Sequence, residues 1–182
     1  IRRELDMRHR SGTSRVIMLA SSLPGEGADI IASNLAHHYA LTGQRVLLID
    51  GDLRRAPLTR KLAPQRTRGL LDALVHGLPV ERAILHDTAS DLYFLPAMSP
   101  TPLETARPEM LASRRMAETI QSLTQQFDVI IIDAPPVLGI ADALVLGNHV
   151  GSVLFVVAAG GTRKNHAKAA LKRLRQAGVV PI

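Results

Sequence analysis

The stretch SSLPGEGADIIASNLA, Ser21 to Ala36, decides the fold. It follows RVIML, Arg15 to Leu19, a short apolar run ended by Ser-Leu-Pro-Gly turn chemistry, which reads as a buried strand. Beyond Gly27, residues Ile30, Ile31, Leu35, Ala36, Tyr39 and Ala40 recur at helical spacing, and Gly43 stands where a helix cap belongs. Strand, glycine-rich turn and helix together make a phosphate-binding loop. The glycines let backbone N–H groups curl inward, and the helix aims its positive end at the same point. Alone, such a turn also serves as a plain strand-to-helix connection. Moreover, the two positions where a phosphate-binding cation and a metal-binding hydroxyl are expected hold Ala28 and Asp29.

The rest of the chain continues the alternation. RVLLID (Arg45 to Asp50), DLYFLPA from Asp91, DVIIIDAPP (Asp128 to Pro136) and SVLFVVA (Ser152 to Ala158) read as strands. GLLDALVHG (Gly69 to Gly77), Met110 to Gln126, a segment near Ala141 to Leu146, and Lys164 to Ala177 read as helices. The terminal VVPI opens one more strand, and the four prolines between Pro96 and Met110 mark a surface loop. The strands are apolar on both faces, as in a parallel sheet covered on two sides. The expected class is therefore α/β, a doubly wound, mostly parallel sheet. Residues 15–182 are expected to form a single domain after an N-terminal arm or helix at residues 1–14.

The bulk composition narrows the function. Hydrophobic residues make up 46% of 182, enough for a packed core. Absence of cysteine excludes disulfides and thiolate metal sites and fits a reducing compartment. No apolar run has the length of a membrane span, and no signal peptide opens the chain. The start at Ile1 rather than Met suggests a piece of a longer protein. A formal charge of +6 fits a solvated basic surface, an anionic membrane face or an acidic partner. With 3% aromatic residues and no zinc-finger or RNA-recognition motif, no nucleic-acid partner is expected. The basic helix from Lys164, with Ala167, Ala170, Leu171 and Leu174 as its apolar stripe, is read first as a sheet-covering helix.

Three pieces converge on the carboxyl edge of such a sheet, where ligands bind. One is the loop Pro24-Gly25-Glu26-Gly27. The second is LLIDGDLRR, Leu47 to Arg55, which sets Asp50 and Asp52 past an apolar strand. The third is Asp133, ending the most apolar strand as a Walker-B aspartate does. Strand-end carboxylates hold Mg²⁺ or accept a proton from a hydroxyl, or else simply cap the next turn. All three in this order are more specific than any one.

Here the chain resembles the cytoplasmic domain of bacterial tyrosine autokinases, P-loop kinases that partner or extend polysaccharide co-polymerases in capsule and exopolysaccharide export. SSLPGEG with Asn34 to Ala36, VLLIDGDLRR, GLLDALVHG, LYFLPA and FDVIIIDAPP with DALVL carry the resemblance over nearly the whole chain. The wider MinD/ParA-like ATPases share the architecture but carry an early loop lysine that is missing here. The resemblance implies a P-loop NTPase-like fold, with ATP or ADP and Mg²⁺ as cofactors. It implies catalytic roles for Asp50, Asp52 and Asp133. The phosphates would be wrapped by Pro24, Gly25, Glu26, Gly27, Ala28, Asp29 and Ile30. Metal-binding positions would be Asp50, Asp52 and Asp133, with Asp29 beside them. Partners would be a membrane co-polymerase or a membrane portion of the same protein, and other copies of the chain, at the cytoplasmic face of the bacterial inner membrane.

The chain departs from that family where Gly-Lys-Ser/Thr-Thr is the rule. Ala28 offers the phosphates no charge, a loss of several kcal/mol of transition-state stabilisation. Asp29 sets an anion where a neutral hydroxyl is expected, and Ile30 removes a second hydroxyl. Crowding Asp29 with Asp50, Asp52 and Asp133 is expected to raise at least one carboxyl pKa unless a cation binds. The only tyrosines in these 182 residues are Tyr39 and Tyr93, in expected core elements, whereas the family's autophosphorylated tyrosines cluster in a tail. Residues 1–10 resemble the family's subunit-docking helix without matching its spacing. Three readings stand: a catalytically degenerate binding or assembly module in polysaccharide export, an active kinase drawing a cation from Arg54, Arg55 or Lys164, and a MinD/ParA-like ATPase.

Overall fold

The computed structural model describes residues 5, 15–97 and 108–182. Six strands form one sheet: β1 (Arg15–Ser21), β2 (Val46–Asp50), β3 (Leu85–Asp87), β4 (Leu92–Leu95), β5 (Val129–Asp133) and β6 (Ser152–Val156). Their order is β3-β4-β2-β5-β1-β6. All neighbours are parallel except β3, which runs antiparallel to β4 along the edge. Pro181 adds an isolated parallel bridge to Val153, which is as far as the expected terminal strand extends.

The alternation of side chains along each strand divides the core in two. Met18, Ala20, Leu47, Ile49, Ile130 and Ile132 face one cluster, with Leu70, Met116, Leu146 and Leu174 from the helices. Ile17, Leu19, Val46, Leu48, Val129 and Ile131 face the other, with Ala32, Leu35 and Tyr39. The central strands β1, β2 and β5 are therefore buried on both faces, as the apolar runs require. Leu5 packs into the second cluster. The remainder of the expected N-terminal arm, and most of the proline-rich loop from Pro96, lie outside the described residues.

The helices are α1 (Ala28–Ala40), α2 (Pro57–Leu62), α3 (Leu70–His76), α4 (Pro108–Leu111), α5 (Arg114–Thr124), α6 (Asp142–Gly147) and α7 (Lys164–Gln176). Helix α3 lies between Gly69 and Gly77 as its sequence predicts. The expected helix over Met110 to Gln126 is two helices instead. Ser113 breaks it by leaving the helical conformation and accepting a hydrogen bond from Met116 N, an N-cap for α5. Helix α2 and strand β3 are additions that six and three residues of sequence are too short to announce. On α7, Ala170 and Leu174 are buried, while Ala167 and Leu171 are only partly covered.

Candidate functional site

The register of the sheet assembles the site. Asp50 pairs with Asp133 across β2 and β5, and Asp133 pairs with Leu19 of β1. Three strand ends thus open at one level, and the loop after β1 rises over them. Gly51 makes the junction possible: a Cβ there would stand 2.8 Å from the carbonyl oxygen of Asp133. The amide of Gly51 donates to that same oxygen at 2.8 Å.

The loop from Ser22 to Gly27 is held from within. The Glu26 carboxylate accepts from Ser22 N at 2.6 Å and Leu23 N at 3.1 Å. Its other oxygen accepts from the Thr162 hydroxyl, tying the loop to the turn after β6. Gly25 and Gly27 adopt φ of 81° and 86°, and nothing lies within 4 Å of where their Cβ atoms would be. That is a backbone cradle with open space in front. Helix α1 starts at Ala28 with no side chain capping its first turn, so its N–H groups remain available. The Ser22 hydroxyl is buried without a hydrogen-bond partner among the described residues.

In front of the loop is an open cleft of about 140 Å³. Among its lining residues are Pro24, Gly25, Glu26, Gly27, Ala28 and Asp29, six of the seven positions expected to wrap phosphates. Ile30 is not among them; it is 56% exposed on the outer face of α1. Asp52 and Asp133 form part of the floor.

Asp50 does not line the cleft. Its Oδ2 accepts from Thr59 N at 2.7 Å and Thr59 Oγ1 at 2.8 Å, and Thr59 Oγ1 in turn accepts from Ala97 N. This carboxylate fastens α2 and the end of β4 to β2. Asp52 is clasped by Arg55, whose Nε and Nη2 approach Oδ2 at 2.8 and 2.7 Å. Asp29 is paired with Lys61 of α2, at 2.5 Å. Among the described residues no three acidic or histidine side chains converge as a ready cation site. Mg²⁺ usually keeps several waters and takes one or two carboxylates plus phosphate oxygens, so the donor set of Asp52 and Asp133 beside a phosphate cradle is compatible with it.

The crowding of acids has the expected electrical effect. Burial, then the charges of Asp50, Asp29 and Asp52, push Asp133 up to about 8, against some relief from Arg55. Burial also raises Asp50 to about 6, opposed by its Thr59 hydrogen bonds.

Of the cations considered from sequence, Arg55 reaches the cleft but is bound to Asp52. Arg54 turns instead to Asp142, with Nε 3.5 Å from Oδ2. Burial raises the Asp142 pKa, and Arg54 opposes that shift. Lys164 is not among the lining residues. Sequence reasoning passed over Arg60, which lines the cleft, and Lys61. The contact of Lys61 with Asp29 spans 32 positions in the chain, and no local spacing signals it.

Comparison with known proteins agrees with this geometry. A family model described as an AAA domain matches residues 14–159. The tyrosine-protein kinase YwqD of Bacillus subtilis is 34% identical over 158 residues, 87% of this chain and 65% of the relative. The succinoglycan biosynthesis transport protein ExoP of Rhizobium meliloti is 36% identical over 149 residues, 82% of this chain and 19% of the relative. The chain thus spans about two thirds of the first relative and about a fifth of the second. The kinase domain of the Escherichia coli tyrosine kinase ETK superposes with a TM-score of 0.89 at 27% identity, covering 99% of this chain and 69% of that one. The septum site-determining protein MinD of Pyrococcus horikoshii, solved with Mg-ADP, shares the fold at a TM-score of 0.74 and 24% identity, covering 93% and 68%. The parallel sheet, the loop over its carboxyl edge and these likenesses place the chain in the AAA-domain family, with the P-loop fold of the bacterial tyrosine-protein kinase domains.

Proposed function

We propose that this chain is the nucleotide-binding domain of a tyrosine-kinase-like component of exopolysaccharide or capsule biosynthesis, and that it works as a binding or assembly module with impaired phosphoryl transfer. The observation that carries the reading is the cleft itself. Its glycine cradle and its floor of Asp52 and Asp133 are in place, while Ala28 sits where a fixed cation would meet the transferring group. ATP or ADP with Mg²⁺ is the ligand this arrangement suits. The loop amides and the start of α1 would hold the phosphates, and Asp52 and Asp133 would hold the ion. When bound, the ion would neutralise phosphate charge. Asp50, fastened to Thr59, supports the floor from behind. Loss of a positioned cation from such a site lowers the rate by about a hundredfold or more.

The relatives named for tyrosine kinases and for succinoglycan transport support the polysaccharide setting. By that likeness the partners would be a membrane co-polymerase, or a membrane portion of the same protein, and other copies of this chain at the inner face of the membrane. Among the described residues no helix is long and apolar enough to cross a membrane. The second reading, an active kinase with an atypical loop, draws on Arg60, which lines the cleft, and Lys61, which pairs with Asp29.

Two measurements test the proposal. Calorimetric titration with ADP and Mg²⁺ is expected to give binding, and incubation with ATP and Mg²⁺ no more than trace tyrosine phosphorylation. The paired substitution Ala28→Lys with Asp29→Ser is expected to tighten ADP by roughly tenfold or more. An unchanged affinity would refute this account of the loop, and robust autophosphorylation of the unaltered chain would favour the active kinase.

A further inference from the structure

We propose that Lys61 of α2, paired with the cleft residue Asp29, supplies the phosphate-binding cation that Ala28 cannot. The inference rests on the nucleotide reading above and deepens it.

Asp29 is the second residue of α1, directly after the Gly27-Ala28 step of the cradle. A Lys61 ammonium 2.5 Å from its Oδ2 is therefore fixed beside the loop from a different element. Two other charges of the cleft are already committed. Arg55 is bound to Asp52, and Glu26 is spent on Ser22, Leu23 and Thr162. Lys61 differs in being tethered to a residue of the cradle while its side chain remains 58% exposed. An ammonium has three donors, so one can remain on Asp29 while another meets a phosphate oxygen. The four-carbon stem lets the head move without displacing α2.

The acid at position 29 then has a function. Unpaired, it would repel a polyphosphate. Paired with Lys61, it is neutralised and positions the cation. Arg60, on the same short helix, lines the cleft and adds a second positive charge. Relocation to an exposed side chain on a different element suits binding better than transfer, because stabilising a transition state requires a cation preorganised against the transferring group.

The test is ADP affinity by calorimetry in Mg²⁺ buffer, with thermal melts confirming that each variant folds. Lys61→Met is expected to weaken ADP by about tenfold or more, and Lys168→Ala, which removes an equal charge from α7, to leave affinity unchanged. The double variant Asp29→Asn with Lys61→Met should remain weak. If it binds like the unaltered chain, Lys61 merely masks Asp29 and the proposal fails. In an Ala28→Lys background the cation is restored in the loop, so adding Lys61→Met should cost less than about threefold. Undiminished affinity in Lys61→Met overturns the proposal, as does an equal loss in Lys168→Ala or an equal cost in the Ala28→Lys background. Absence of ADP binding by the unaltered chain also overturns it. Binding regained by Ala28→Lys would then preserve the nucleotide reading, whereas no binding by either would remove both.

Discussion

Asp133 sits at the end of β5, only 2% exposed, with Asp29, Asp50 and Asp52 near enough to raise its pKa. Its ordinary value of 3.8 applies to the unfolded chain, and its folded value is about 8. Between those values the folded state holds a proton that the unfolded state has released. Stability from this group is fully present below the unfolded value and is lost as pH rises through the folded one. The urea midpoint is therefore expected to fall from about pH 5 to about pH 8, and Asp133→Asn to flatten that slope. Asp50, raised to about 6, leaves a smaller slope of the same sign in the lower part of the range. Equal slopes in variant and unaltered chain would show that Asp133 does not carry the proton. The sequence placed these acids together by strand-end position alone. It did not reveal what each would meet, because Asp50 is bound by Thr59 and Asp52 by Arg55, contacts that strand-end position does not signal.

At the scale of elements, periodicity found α1, α3 and α7 and the apolar strands, but it ran through the break at Ser113. The stretch from Met110 has the apolar spacing of one helix, and nothing in that spacing marks a change of axis. The Ser113 hydroxyl donates to Met110 O at 2.6 Å and accepts from Met116 N at 3.2 Å, so one side chain both closes α4 and opens α5. Ser113→Ala is expected to cost about 1 kcal/mol in chemical denaturation. A loss below roughly 0.3 kcal/mol would mean that the cap is not used. Helix α2 shows the opposite limit. Six residues beginning at Pro57 carry too little pattern to be read, yet this element delivers Thr59 to Asp50, Arg60 to the cleft and Lys61 to Asp29.

Across the whole molecule, β5 is paired on both sides, by β1 and β2, and these strands are buried on both faces. The edge strand β3 has three residues, and two of them are exposed. Amide hydrogen exchange is expected to be slowest in β1, β2 and β5 and much faster in β3, in line with local opening at thinly packed edges. Comparable protection in β3 would contradict this ordering. The doubly wound class was legible because strands buried on two faces need apolar residues at every position, and that demand is written locally. The loop was legible because a tight turn before a helix needs glycines at set offsets. The sequence by itself determined these, and it determined that Ala28 offers the phosphates no charge. Only the tertiary structure decided that Asp50 faces Thr59 rather than the cleft, that Ile30 points outward, and that Lys61 meets Asp29. Those contacts are set by how distant elements pack on a common sheet, and packing between distant elements leaves no period in the chain.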